Sequence, residues 1–264
     1  MGLNGLANIN IELTSFCNKD CWICGRRERD REFGVQEYRD MPFGLLVRIA
    51  QQVPDGICVQ LHNNGEPLLY RRFGDAVDLF KNQVTSIVTN GKCLVDKADE
   101  IIGKLDCLAV SVFQDDKESE LQYEVLKRFL QMKGEEKPYV VARLIGNVNS
   151  KAYKQLGLCI VRRALHLPKG SLGYKRDPVI PETGFCWDIF TRLAIDTHGD
   201  VSVCVRFDPN RELVLGNLKE KTIDEMWNGK KRLGMLEKHI TGRRSKLNYC
   251  GSMCEYWGVP TSSK

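Results

Sequence analysis

Three cysteines, Cys17, Cys21 and Cys24, lie within the eight-residue segment CNKDCWIC. Three thiolates can hold three irons of a [4Fe–4S] cube and leave the fourth iron open, unlike the four-cysteine electron carriers whose irons are all capped by protein. Zinc would call for four ligands, and no fourth Cys or His lies close by in the sequence; His62 is the nearest histidine. A second group, Cys186, Cys204, Cys250 and Cys254, occupies the final third. Four thiolates make a closed site for zinc or for a second [4Fe–4S] cluster, and ligand chemistry alone leaves both open. Cys58, Cys93, Cys107 and Cys159 stand in apolar runs and read as small core residues.

The chain that must position these groups has 264 residues, 42% hydrophobic and 28% charged. That is the mixture of a compact soluble protein, long enough to bury a sizeable core without disulfides. No run of about 18 uncharged apolar residues is present, and the start MGLNGLANINIEL lacks the basic and apolar regions of a signal peptide. A cytoplasmic, reducing location and no membrane association are therefore expected, with the 11 cysteines kept as thiols. The net charge of +5 is mild and gives no reason to expect nucleic acid. The basic stretches after the first cysteine group (Arg26, Arg27, Arg29, Arg31) and near the C-terminus (Lys230 to Lys246) read as solvated faces.

From residue 9 to about 165 short β-rich runs alternate with helical patterns, as in repeated βα units around a parallel sheet. Strands are expected at Ile9–Leu13, Cys58–Leu61, Ser86–Thr89, Cys107–Val112, Tyr139–Leu144 and Cys159–Ala164. Helices are expected near Pro42–Gln52, Phe73–Asn82, Val95–Leu105, Glu118–Lys133 and Lys151–Leu156. A Pro- and Gly-rich passage follows, and then LAIDTHGDVSVCV reads as a β-hairpin turning at His198-Gly199. A helix over Thr222–His239 and a cysteine-bearing tail complete a smaller unit. The expected fold class is α/β: a partial (β/α)6 barrel over residues 1–166, a linker over 167–183, and a small β-hairpin-plus-helix domain over 184–264.

The CxxxCxxC spacing of CNKDCWIC resembles that of the radical S-adenosylmethionine (radical SAM) enzymes. The resemblance implies that the open iron binds S-adenosyl-L-methionine, and that reductive cleavage yields a 5′-deoxyadenosyl radical that takes hydrogen from substrate. Asn64-Gly65-Glu66-Pro67 resembles the family's GGEP motif contacting the methionine amino group, with Asn64 replacing the first glycine. Thr89-Asn90-Gly91 looks like the TNG turn, which makes Asn90 a cofactor residue, and Ser111 falls where ribose or methionine is commonly met. Arg143 would pair with the cofactor carboxylate or contact substrate, or else stand exposed on its strand. Ile23 takes the place of the usual aromatic residue against adenine. His62 is a candidate proton acceptor or a hydrogen-bonded structural histidine.

The frame from Cys186 through Cys204 and LGN to Cys250 and Cys254 resembles the Twitch domain, the shortened form of the SPASM domain, and implies one auxiliary [4Fe–4S] cluster as electron acceptor. In size and in that single site the chain is similar to the aminocyclitol alcohol dehydrogenases of the family. The reaction implied is oxidation of a sugar or cyclitol alcohol. Modification of a peptide or protein side chain, and a non-enzymatic Fe–S or zinc scaffold, are the alternatives. The expected partners are a sugar, cyclitol, nucleotide-like or peptide substrate and an external one-electron donor such as flavodoxin or ferredoxin.

Overall fold

A computed structural model describes residues 2–21, 24, 26, 30, 37–163, 186–205, 208 and 211–253. Six parallel strands form in chain order: β1 (Asn8–Ile11), β2 (Cys58–Gln60), β3 (Val84–Thr89), β4 (Cys107–Phe113), β5 (Tyr139–Ile145) and β6 (Cys159–Arg163). Between them run α1 (Phe43–Ala50), α2 (Phe73–Asp78), α3 (Ala98–Ile101), α4 (Ser119–Lys133) and α5 (Lys151–Gln155). Alternate strand residues have opposite fates, as the two-residue pleat dictates. Ile9, Ile11, Val59, Leu61, Ile87, Leu108, Val110, Val112 and Leu144 are buried in the main core. Phe73, Leu126 and Phe129 of the helices belong to the same core. The intervening positions, among them Asn10, Gln60, Ser111 and Arg143, carry polar groups to the other face of the sheet.

The expected hairpin forms as β7 (Arg192–Ile195) and β8 (Asp200–Ser202), preceded by α6 (Asp188–Thr191). It does not stand apart. β7 pairs in parallel with the open edge of β1, Asn10 opposite Ala194, and a further strand β9 (Val214–Asn217) follows β8. The result is one nine-stranded sheet in the order β6-β5-β4-β3-β2-β1-β7-β8-β9, with β6 and β9 as its two edges. It is an unclosed barrel whose C-terminal hairpin continues the sheet. β9 was not anticipated, because four residues around a glycine carry too little alternation to announce a strand. The expected linker lies outside the described residues.

The helix expected over Thr222–His239 is two: α7 (Ile223–Trp227) and α8 (Lys230–Ile240). Thr222 and Glu225 close a reciprocal capping box on α7. Gly229 ends it in an extended conformation, where an added Cβ would meet Glu225 O at 2.9 Å. The basic stretches are not uniformly solvated either. Arg26, Arg232 and Arg244 are buried; Arg26 donates to Ser15 O at 2.9 Å, and Arg232 stacks 3.2 Å above the Trp227 ring while donating to Trp227 O. Trp227 is core, with its indole N–H on Asn4 O. Cys58, Cys93 and Cys107 are only half-buried and Cys159 is exposed, which corrects their reading as core residues. Cys58, Cys107 and Cys159 alternate with core positions and so sit on the polar side of the pleat.

Candidate active site and auxiliary cysteine site

β1 delivers the first cysteine group straight onto the C-terminal end of the parallel sheet, where βα loops converge. Cys17, Cys21 and Cys24 are half-buried, and the turn is closed by Cys24 N–H donating to Cys21 O at 3.1 Å. Burial pushes the Cys17 thiol up. Burial and then the charge of Cys24 push Cys21 up to about 12. Ionising neighbouring thiols is opposed by mutual repulsion, and a bound metal cluster would offset that cost while displacing the protons.

The two loops that follow β2 and β3 brace this turn. Gly65 lies so tightly beneath it that an added Cβ would sit 2.0 Å from Thr14 O and 2.8 Å from Phe16 O. Glu66 N–H donates to Phe16 O at 2.8 Å. The Glu66 carboxylate is buried and fully engaged, accepting from Leu68 N, Thr89 Oγ1 and Asn90 N. Its burial pushes the carboxyl up while those donors pull it back. Asn90 in turn donates to Asn18 Oδ1 at 2.8 Å and reaches Cys17 Sγ at 3.9 Å. Gly91 takes the positive φ of 82° that the turn needs. Lys19, inside the cysteine motif, is paired with Asp116 after β4, both nearly excluded from solvent. The cysteine loop is therefore held from β2, β3 and β4 at once.

Ser111 is buried on β4 beside Arg143 in register, and its carbonyl accepts from Gln122 at 2.9 Å. Arg143 is half-buried, with Nε making no hydrogen bond among the described residues. His62 lies two residues beyond β2, where Nδ1 accepts from Val88 N–H at 3.2 Å. Burial, and then the charges of Arg143, Arg192 and Arg163, push its pKa down to about 3. The ring is neutral with one nitrogen occupied, which argues for the structural histidine over the proton acceptor. Asn64 contributes its backbone, donating to Glu12 Oε1 at 3.1 Å. Ile23 and Cys254 lie outside the described residues.

Glu12 is the site residue that sequence reasoning missed. It lines a cavity of about 380 Å³ at the ends of β1, β2 and β7, and Cys204 lines the same cavity. Burial, supplemented by the Asp196 charge, raises its pKa to about 7. Asp196, Asp200, Asp208 and Glu37 also face the cavity, answered by Arg26, His198 and Arg211. Arg211 is ion-paired with Asp200 and lies 3.9 Å from Asp196. The available signal was the polar series Asn8, Asn10, Glu12 alternating with Ile9, Ile11, Leu13.

The second cysteine group is spread over three parts of the chain. Cys186 precedes α6, Cys204 follows β8, and Cys250 lies in the turn Tyr249–Met253; all three are half-buried. Cys204 N–H is held by Ser202 Oγ at 3.2 Å and Cys186 N–H by His239 Nδ1 at 3.3 Å. Among the described residues no three His, Cys, Asp or Glu side chains converge on a single metal ion. The donor sets suit clusters instead. The Asn90 amide reaches Cys17 in the first group, and the buried His239 accepts from the Cys186 N–H of the second, its Nε2 without a partner among the described residues.

Comparison with known proteins agrees with this geometry. Residues 186–255 match the SPASM model, described as an iron-sulfur cluster-binding domain. Fold, cysteine loop and matched region are together similar to those of radical SAM enzymes that carry a SPASM-type C-terminal domain. The chain is 24% identical, over 97% of its length and 95% of the relative's, to the S-adenosyl-L-methionine-dependent 2-deoxy-scyllo-inosamine dehydrogenase of Niallia circulans. Its fold is similar to BtrN in complex with AdoMet and 2-DOIA, at TM-score 0.64, 18% identity and coverage of 98% and 96% of the two chains. It is also similar to Streptococcus suis SuiB bound to the precursor peptide SuiA, at TM-score 0.66, 14% identity and coverage of 95% and 71%. Among the described residues no helix is long and apolar enough to cross a membrane.

Proposed function

We propose that this enzyme oxidises a ring alcohol of a small polyhydroxylated, amine-bearing substrate to a ketone, with a flavodoxin- or ferredoxin-type donor supplying the priming electron. The observation that carries the reading is the cavity lined by both Glu12 and Cys204. Its acidic wall favours an ammonium group on the substrate. The match to the dehydrogenase over nearly the full length of both chains supports the same class. Cys17, Cys21 and Cys24 would hold the first cluster, and Cys186, Cys204, Cys250 and Cys254 the second.

When bound, the clusters and S-adenosylmethionine supply a hydrogen-abstracting radical and a sink for one electron. The chain does the rest. Loss of a carbinol hydrogen atom leaves a substrate radical that becomes a ketone by giving up a proton and an electron. Glu12, ionising near neutrality on the cavity wall, takes the proton. Gly65, Glu66 and Asn90 fix the cysteine loop, and Arg143 and Ser111 present polar groups toward cofactor and substrate from β5 and β4.

Anaerobic incubation of the reconstituted enzyme with reductant, S-adenosylmethionine and ring-deuterated 2-deoxy-scyllo-inosamine tests this. Deuterium in 5′-deoxyadenosine together with ketone is the expected result. Label transfer only from a peptide side chain would replace the reading with peptide modification.

A further inference from the structure

We infer that His239 donates its Nε2–H to a sulfur of the cluster in the C-terminal cysteine site and thereby raises that cluster's affinity for an electron. The inference rests on reading those cysteines as a cluster site. His239 lies in the last turn of α8, on the buried face that also carries Arg232 and Met235, and is 3% exposed. Its Nδ1 accepts from Cys186 N–H, so Nδ1 is the bare nitrogen and Nε2 bears the hydrogen. That N–H is buried and meets no acceptor among the described residues.

Buried donors are nearly always paired, and one left without a partner among the described residues calls for a further acceptor. The site that His239 already braces through Cys186 is where an acceptor-rich group belongs, since a cluster carries both sulfide and thiolate sulfurs. A hydrogen bond to such a sulfur stabilises the more negative, reduced state and shifts the potential upward. His239 is thus a positioning residue: it holds the Cys186 backbone with one nitrogen and tunes the electron acceptor with the other.

Two substitutions separate these duties. Asn at position 239 keeps an acceptor near the Nδ1 position and lacks the far donor, whereas Gln places an N–H near Nε2. The measurement is an EPR-monitored reductive titration of the holoenzyme, in which the auxiliary signal is the one that added S-adenosylmethionine leaves unchanged. His239→Asn should lower electron affinity about tenfold, which is 59 mV for one electron, and His239→Gln should stay near wild type. Wild type carrying 15N-histidine should show a weak nitrogen coupling on the auxiliary signal that His239→Asn lacks. An unchanged potential in His239→Asn, a coupling strong enough for direct ligation, or loss of auxiliary iron from both variants would overturn the tuning role. Iron restricted to the Cys17 group in wild type would overturn the cluster reading itself, and the inference with it.

Discussion

Replacing Gly65 with alanine tests whether the loop after β2 is what holds the cysteine turn in place. The new methyl would stand 2.0 Å from Thr14 O and 2.8 Å from Phe16 O, both backbone atoms that no rotamer change can move. Ordinary contact lies near 3.5 Å, so the two loops must part by about 1.5 Å. Parting removes the Glu66 N–H to Phe16 O bond at 2.8 Å and weakens the Asn64 N–H to Glu12 bond at 3.1 Å. Each is worth about 1 kcal/mol net, and overpacking adds roughly 1–3 kcal/mol. The total of about 3–5 kcal/mol is a large part of a typical folding free energy of about 5–15 kcal/mol. It corresponds to a melting temperature lowered by roughly 10 °C for a chain of this size. Thermal unfolding followed by near-UV circular dichroism gives the stability, and iron content after anaerobic reconstitution reports the cysteine turn. Gly44→Ala is the control, because that position on α1 has nothing within 4 Å of an added Cβ. If Gly65→Ala melts and loads iron like Gly44→Ala, the bracing argument is wrong.

Glu12 has a folded-state pKa above that of an unfolded carboxyl, so its contribution to stability is complete below about pH 4.5 and is lost as pH rises through about 7. Urea midpoints of wild type should therefore fall relative to Glu12→Gln across that window, by roughly 3 kcal/mol; parallel curves would show an ordinary carboxyl. In turnover, Glu12→Gln should cut ketone formation about 100-fold and abolish an acidic limb near pH 7, whereas a limb surviving in the variant belongs to another group. Asp116→Ala leaves the Lys19 ammonium buried without its main partner, with Glu118 only 3.8 Å away as relief. A loss of about 3 kcal/mol in chemical denaturation is expected, and a loss under 1 kcal/mol would mean that water reaches Lys19.

The sequence by itself determined most of the scaffold and supplied the candidate ligands. Spacing within one turn marked Cys17, Cys21 and Cys24 as candidate ligands, because such spacing is local and chain geometry cannot undo it, whereas the second group is spread from Cys186 to Cys254. The six barrel strands were legible to within a few residues, since one buried face and one polar face leave an alternating pattern of period two. Short β9 escaped, and the break at Gly229 was read through, because apolar periodicity continues on both sides of it. Other decisions belonged to tertiary structure. Glu66 could be placed in a motif, but only the approach of β3 shows its carboxylate spent on Leu68, Thr89 and Asn90. Glu12 looks like any acidic residue until β7 docks on β1 and buries it beside Asp196. His239 lies 53 residues from the Cys186 amide that fixes its tautomer. Burial and long-range pairing set pKa, tautomer and unmet hydrogen bonds, and those depend on which distant segments meet, which no local pattern records.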